Sequence, residues 1–130
     1  MTSIAHKIGV SRKASQGAQR AVPMTGDALG DRQKDDYYGT PPWVTDALLA
    51  CEPFFGPIWE PACGHGLIAK RIAECGGEVV ATDLVNRGYG QHGVDFLMEQ
   101  RLLAPNNDTN PPFKLAREFA DNAMRLGATK

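Results

Sequence analysis

The residues with the clearest chemical potential lie in a glycine-containing turn near the middle of the chain. Residues 57–72 read PIWEPACGHGLIAKRI, so that Glu60 is followed closely by Gly64 and Gly66. Glycines allow a backbone to approach a ligand closely, and the first turn of a following helix has N–H groups without partners in the helix. This arrangement is typical of a loop that binds a nucleotide-like cofactor.

Two classes of cofactor bind at such a turn, and the charge of Glu60 favours one of them. The letters GHGLIA fit the dinucleotide pattern G-x-G-x-x-G/A, and Asp83 lies at the offset of about 20 residues expected of a ribose-binding carboxylate. Glu60 would repel a pyrophosphate over the turn, whereas S-adenosylmethionine places an ammonium and a sulfonium there. The inserted Pro61–Cys63 also makes the turn longer than a dinucleotide needs. A nicotinamide dinucleotide is the alternative.

The segments around the turn predict a right-handed βαβ unit. Residues 58–59 indicate a short strand, the helix after Gly66 ends at residues 76–77, and the β-branched run at 78–82 indicates a buried parallel strand ending on Asp83. A parallel sheet with helices makes the fold class α/β. The helix is expected to bury one apolar face, formed by Leu67, Ile68 and Ile72.

Two flanking helices are predicted from apolar spacing. The first begins at the prolines 41–42 with Thr40 as its N-cap, and its Trp43 is expected in the core together with Trp59 of the strand. The second covers 114–126 and is stopped by Gly127. The face expected to pack on the sheet contains Leu115, Phe119, Ala123 and Leu126.

Two weaker strands complete a predicted sheet of about four. Residues 94–97 fit a third short strand, followed by a turn of helix over 98–103. Residues 106–110 lie where a fourth strand is wanted, but they are too polar to indicate one from pattern alone, and Asp108 would be costly if buried.

Length and composition set the remaining bounds. A chain of 130 residues is one domain at most, and residues 1–34 are predicted to form a flexible tail before a domain at 35–130. The net charge of −1 gives no overall attraction to nucleic acid. No apolar run fits a signal peptide or a membrane span, so a cytoplasmic location is expected. The spacing of the three cysteines suggests neither disulfides nor a metal site.

Three short motifs resemble those of one enzyme family. Glu60–Gly66, EPACGHG, is similar to the first motif of class I S-adenosylmethionine-dependent methyltransferases, acidic-Pro-x-x-Gly-x-Gly. Asn110–Phe113, NPPF, resembles the motif of amino-methyltransferases, and Tyr38–Pro41, YGTP, resembles a segment found upstream in several DNA adenine methyltransferases. Their order is that of the adenine-N6 enzymes. The resemblance implies a Rossmann-like fold and transfer to an exocyclic amino group, with adenine N6 in DNA favoured and RNA or protein substrates open.

The resemblance also implies a role for each matching residue. Glu60 would bind the methionine ammonium, Asp83 the ribose hydroxyls and Asp95 the adenine amino group, with Phe96 against the ring. The cofactor site would comprise Tyr38, Thr40, Pro41, Glu60, Pro61, Ala62, Gly64, Gly66, Asp83, Leu84, Asp95 and Phe96. The catalytic motif would hold the target amino group on Asn110 and the Pro111 carbonyl and stack the base on Phe113, beside Pro112. Tyr37 and Tyr38 fit either packing or a lid.

The resemblance covers about residues 37–126 and implies more sheet than this chain contains. Only 17 residues follow Phe113, whereas the family has seven strands, so we expect a partial domain truncated after its fourth strand. The open sheet edge would require self-association or a complementary segment. A non-catalytic cofactor-binding or interaction fragment is therefore a second hypothesis, and a dinucleotide-binding protein is a third.

Overall fold

A three-stranded parallel sheet forms the centre of the fold in a computed structural model, which describes residues 37–130. The strands are β1 (Ile58–Glu60), β2 (Val79–Ala81) and β3 (Asn106–Asn107), in the order β2-β1-β3. The α-helices are α1 (Pro42–Cys51), α2 (Leu67–Glu74) and α3 (Ala116–Leu126), and two 3₁₀ helices cover Phe96–Met98 and Phe113–Leu115. The α/β class is confirmed, and the tail predicted at 1–34 lies outside the described residues.

β1 is the buried centre of the sheet because it pairs on both sides and is covered on both faces. Ile58 and Trp59 have no exposed surface, and as neighbours in a strand they point to opposite faces. Ile58 joins a cluster with residues from α1 and α2, and Trp59 joins one with Phe96 that α3 covers. This two-sided cover is typical of parallel sheets, and the prediction that Trp59 is in the core is confirmed.

The predicted βαβ unit is confirmed, with two corrections to its burial. β1 pairs in parallel with β2, and α2 connects them. Leu67, the first residue of α2, is 39% exposed, so of the three residues predicted to form the apolar face only Ile68 and Ile72 are buried. β2 is half-buried rather than buried, since it has a paired strand only on its β1 side.

The third strand predicted at 94–97 is wrong, and the sheet of the described residues has three strands rather than about four. The Asp95 carboxylate instead accepts a hydrogen bond of 3.0 Å from the Leu97 N–H, which closes a 3₁₀ turn at Phe96–Met98. An aspartate that bonds the backbone two residues ahead competes with a strand in this way. The helical turn predicted at 98–103 is also wrong, since the 3₁₀ helix ends at Met98.

α1 forms where predicted, but its cap and its buried face differ. Pro41 is the N-cap residue, and the Thr40 hydroxyl accepts a hydrogen bond from Asn110 instead of capping the helix. Thr45 and Leu49 are the buried residues of α1. Trp43 is 69% exposed, so its predicted place in the core is wrong. The apolar spacing of Trp43, Val44, Ala47, Leu48 and Cys51 predicted the helix, but not the face that is buried.

The polar strand β3 exists because its first side chain bonds to backbone. Asn106 is 1% exposed, and its Nδ2 donates to the carbonyls of Phe55 at 2.8 Å and Pro57 at 3.1 Å. The outer edge of β3 also has partners near the end of the chain. The Asn107 N–H donates to the Lys130 carbonyl at 2.7 Å, and the Thr129 N–H donates to that of Pro105 at 2.8 Å. The edge expected to be unpaired is therefore partly covered.

α3 lies on the Trp59 face of the sheet and ends as predicted. Phe119, Ala123 and Leu126 pack against the buried cluster around Trp59. Gly127 takes a left-handed conformation with φ of 88° and caps the helix, as glycine does readily. Leu115 is 39% exposed because it belongs to the preceding 3₁₀ helix rather than to α3. Within residues 37–130, no helix is long and apolar enough to cross a membrane.

Candidate functional site

A cavity of about 700 Å³ lies at the carboxyl edge of the sheet. Pro61 and Ala62 line it directly after β1, Asp83 lines it after β2, and Asn110 lines it after β3. In the order β2-β1-β3, the chain runs from the central strand β1 to β2 on one side and then crosses to β3 on the other side. A crevice at such a switch point is where open α/β sheets bind ligands. The topology therefore makes this cavity the candidate site.

Asp83 connects the glycine turn to the cavity. Its Oδ2 accepts a hydrogen bond of 2.8 Å from the Gly64 N–H, and its Oδ1 accepts one of 2.8 Å from the Val85 N–H. These hydrogen bonds fix the carboxylate at the cavity wall, and Asp83 is 9% exposed there. Each carboxylate oxygen can accept a second hydrogen bond. Asp83 is thus oriented to accept from hydroxyl groups of a ligand.

The wall beside Asp83 contains the other residues expected around a nucleoside. Leu84 is 60% exposed and Phe96 is 2% exposed, and both line the cavity with Asp95. Phe96 is held edge-on to Trp59, with ring centroids 5.0 Å apart. The 3₁₀ helix that replaced the predicted strand therefore still brings Asp95 and Phe96 to the site.

Asn110 joins the NPPF segment to the YGTP segment. Its Nδ2 donates to the Tyr38 carbonyl at 3.0 Å and to the Thr40 hydroxyl at 3.1 Å. Because a backbone carbonyl can only accept, this contact fixes which end of the amide faces Tyr38. The Oδ1 is then the end of the Asn110 amide that can accept a hydrogen bond from a ligand.

An aromatic pair lies beside Asn110. The rings of Tyr38 and Phe113 are stacked, with centroids 5.0 Å apart and planes 17° apart. Tyr38 is 39% exposed and Phe113 is 61% exposed. Tyr38 lines the cavity with Pro112, whereas Pro111 lines a separate cavity of about 290 Å³ on the other side of the segment. The NPPF residues are therefore divided between two cavities and the surface.

Glu60 lies outside the large cavity and is buried. It is 2% exposed, and its Oε2 accepts a hydrogen bond of 2.8 Å from the Ala69 N–H of α2. Burial, opposed by this hydrogen bond and assisted by repulsion from Asp108 and Asp83, raises the pKa of Glu60 to about 9. The carboxyl is then neutral at pH 7. The prediction that Glu60 repels a pyrophosphate assumed an ionised carboxylate, whereas burial at this position favours the neutral form.

The two glycines of the turn are covered by tyrosine rings. A Cβ built on Gly64 would lie 2.1 Å from the Tyr37 ring, and one built on Gly66 would lie 2.3 Å from the Tyr89 ring. Both glycines have positive φ, 55° and 82°, so the turn needs them on two grounds. In this structure the turn accommodates aromatic rings of the same chain rather than opening onto the large cavity.

The predicted site residues thus fall into two groups. The large cavity brings together Tyr38, Pro61, Ala62, Asp83, Leu84, Asp95, Phe96, Asn110 and Pro112. Thr40, Pro41, Glu60, Gly64, Gly66, Pro111 and Phe113 do not line it. Several lining residues were not predicted from the sequence, namely Val85, Arg87, Val94, Leu97, Lys114, Leu115 and Phe119. Apart from their closeness to a matched motif, these residues carried no signal.

Covalent and metal chemistry find little support at the site. Cys63 is 4% exposed, and burial raises the pKa of its thiol to about 11, so it remains a thiol rather than a thiolate. All three cysteines are free. Among residues 37–130, no group of three or more histidine, cysteine or acidic side chains is arranged to hold a metal ion.

Comparison of the chain with protein-family models, with curated proteins and with solved structures found no match.

Proposed function

We propose that this protein is an S-adenosylmethionine-dependent methyltransferase with a Rossmann-like class I fold, acting on an exocyclic amino group, with adenine N6 in DNA as the favoured target. One observation supports this most directly. A single cavity is lined both by Asp83 and Asp95, the carboxylates expected to bind a nucleoside, and by Asn110 and Pro112 of the NPPF motif. Methyl transfer needs a cofactor and an amine side by side, and this arrangement offers a place for each.

The lining residues fit the adenosine part of the cofactor. A volume of about 700 Å³ is within the range of small-molecule sites, about 300–1,000 Å³. Asp83 has acceptor capacity for two ribose hydroxyls, and Phe96 gives an apolar surface for a purine ring. The part of the site at Glu60 and the glycine turn is covered by Tyr37 and Tyr89, so a longer ligand requires these rings to move.

The residues near Asn110 suit an aromatic amine. When bound, S-adenosylmethionine supplies an electrophilic methyl group on its sulfonium. The Asn110 Oδ1 would accept a hydrogen bond from the target amino group and orient its lone pair. The stacked rings of Tyr38 and Phe113 give a planar, partly exposed surface on which a base extruded from a duplex could stack. Catalysis would then rest on orientation rather than on a covalent intermediate.

One feature favours a non-catalytic binding protein as the second candidate. The nucleoside part of the cavity is open, but rings cover both glycines of the turn. A protein that binds adenosine-type ligands without transferring a group would need only the open part. A dinucleotide would also need these rings to move, because its pyrophosphate would lie over Gly64 and Gly66.

Calorimetric titration and a transfer assay test these alternatives together. We expect S-adenosylhomocysteine and adenosine to bind the full chain and NAD to bind much more weakly. We also expect radioactive methyl groups to pass from labelled S-adenosylmethionine to unmethylated DNA, and the Asn110→Ala variant to lose transfer while keeping cofactor binding. Cofactor binding without any transfer would favour the non-catalytic candidate. Binding of NAD alone would contradict both.

A further inference from the structure

The segment Tyr37–Thr40 separates two spaces that belong to the same edge of the sheet. On one side lies the large cavity, and on the other lies a void of about 10 Å³ bounded by Glu60 and Cys63. Tyr37 and Tyr38 line both spaces. The void is too small for any part of a ligand beyond a single atom. Movement of this segment is therefore what would connect Glu60 to the cavity.

The Tyr37 ring closes the segment onto the glycine turn. It fills the position that a side chain at residue 64 would take, with a ring carbon 2.1 Å from an ideal Cβ. Only glycine at this position leaves space for the ring. The absence of a side chain at Gly64, which the sequence suggested would admit a ligand, here admits Tyr37 instead.

The contacts that hold the ring are weak ones. The His65 N–H donates to the Tyr37 hydroxyl at 3.4 Å, near the limit for a hydrogen bond. The Arg87 guanidinium lies 4.5 Å from the ring centroid, and the His65 ring meets it edge-on at 5.1 Å. Such contacts are individually small at partly exposed sites. None of these three contacts is a charge-assisted hydrogen bond of the kind that holds a side chain most strongly.

We propose that Tyr37 is a specificity-determining gate, which in its closed position admits a nucleoside and must leave Gly64 before a ligand with a chain on its 5′ carbon can bind. This inference rests on the proposed function for the identity of the long ligand, but not for the movement of the ring. Opening would expose Cys63 and Glu60 to the cavity at once, since both bound the void beneath the segment.

The movement of the gate can be measured without any ligand. In a Cys51→Ser, Cys75→Ser background, Cys63 is the one remaining thiol of the chain, and it is 4% exposed. We expect the Tyr37→Ala variant to react with a small thiol reagent at least about tenfold faster than the parent, because the substitution enlarges the void that Tyr37 and Cys63 both line. Tyr37→Phe keeps the ring and is the matched control, with a rate close to that of the parent.

Ligand affinity tests the specificity of the gate. A site that must first open binds more weakly by the fraction of molecules that are open. Tyr37 also lines the large cavity, so Tyr37→Ala can change the affinity for adenosine as well. The ratio of the affinity for S-adenosylhomocysteine to that for adenosine should therefore be about tenfold higher in Tyr37→Ala than in the parent. Thermal unfolding followed by circular dichroism checks that the variants are folded, and Tyr37→Leu replaces Tyr37→Ala if the latter is not.

The results of these two experiments test the movement of Tyr37 and the proposed function separately. Equal thiol reactivity in the folded variant and its parent would overturn the gate, and so would an equal gain in affinity for adenosine and S-adenosylhomocysteine. Faster thiol labelling in a protein that binds adenosine but not S-adenosylhomocysteine, in any variant, would support the movement of Tyr37 and contradict the proposed cofactor.

Discussion

The two ends of the candidate site place carboxyl groups in opposite surroundings. At the nucleoside end, Asp83 lies at the wall of an open cavity and accepts two backbone N–H groups. At the glycine-turn end, Glu60 has one backbone donor, is 2% exposed and lies under a segment that leaves a void of about 10 Å³. Desolvation dominates where compensating hydrogen bonds are few, so Glu60 is neutral. A carboxyl residue in a binding motif therefore acts as an anion only if it stays hydrated or accepts enough hydrogen bonds to offset the cost of its burial.

Glu60→Gln should give the largest change in the pH dependence of the free energy of unfolding. It removes the carboxyl whose ionised form is most strongly disfavoured by burial. The folded pKa of about 9 lies above the ordinary value of 4.5, so the neutral form is favoured in the folded state. The contribution of Glu60 to stability is then fully present below pH 4.5 and is lost as the pH rises toward 9. Each pKa unit corresponds to about 1.4 kcal/mol.

Urea unfolding at pH 5, 7 and 9 measures this effect. We expect the free energy of unfolding of the parent to fall steadily across this range by several kcal/mol, and that of Glu60→Gln to vary much less. Glutamine keeps an oxygen for the Ala69 N–H, so the comparison changes the charge rather than the shape. Parallel pH profiles for parent and variant would mean that Glu60 ionises freely in the folded state.

Asp108→Asn should give the next largest effect, in a lower pH range. The Asp108 Oδ2 is buried without a hydrogen-bond partner, and burial raises the pKa of its carboxyl from 3.8 to about 6. Its stabilising contribution is present below pH 3.8 and is lost as the pH rises to 6, a change of about 3 kcal/mol. Asparagine should remove this pH dependence and stabilise the fold at pH 7. A variant less stable than its parent at pH 7 would contradict this reading.

Asp83→Asn tests the open end of the site. An asparagine can accept a hydrogen bond from only one of the two N–H groups, those of Gly64 and Val85, and it turns its NH₂ toward the other. The loss of one hydrogen bond should lower the free energy of unfolding by about 1–3 kcal/mol. The affinity for adenosine should fall at least about tenfold, because the acceptor for the ribose is lost.

Asp95→Asn is the matched control for that change. Its Oδ1 accepts only from the Leu97 N–H, a bond that an asparagine oxygen can keep. We expect its unfolding free energy to stay close to that of the parent. An equal loss of stability in both variants, measured by urea unfolding at pH 7, would mean that the two N–H bonds of Asp83 do not set it apart.

How far the sequence predicts this molecule differs between its strands. The spacing of apolar residues predicts both β1 and α2. Ile58, Ile68 and Ile72 are buried, as that spacing indicates. β3 could not be predicted in this way, since its stability includes side-chain bonds from Asn106 to carbonyls 49 and 51 residues away. Local pattern carries no information about partners so distant in the chain.

The candidate site shows the same division. Asp83 reaches the cavity because it follows β2, a strand that the sequence predicted. Asp95 and Asn110 line the same cavity, but they reach it through a 3₁₀ turn and the polar strand β3, which apolar pattern did not indicate. The state of Glu60 and the cover over Gly64 could not be predicted, because they depend on burial and on the position of Tyr37, which the motif does not specify. A motif identifies residues that share a site, but not whether that site is open.

Asn110→Ala should change stability less than the substitutions of Glu60, Asp108 and Asp83, yet it acts on both ends of the site. Asn110 lines the large cavity and the small void, and its Nδ2 bonds to Tyr38 and Thr40 hold the segment that carries the gate. Loss of these partly exposed bonds should lower the free energy of unfolding by about 1 kcal/mol. Cys63 should also react faster with a thiol reagent, because the segment is held less firmly.

Thr40→Val separates the two roles of Asn110. It removes one acceptor of the Nδ2 group and leaves the Tyr38 carbonyl and the Asn110 oxygen in place. We therefore expect part of the increase in Cys63 reactivity from Thr40→Val, but none of the loss of methyl transfer expected from Asn110→Ala. If both variants lost transfer equally, Asn110 would act by holding the segment in position. If only Asn110→Ala lost it, the amide oxygen would act on the target amine itself.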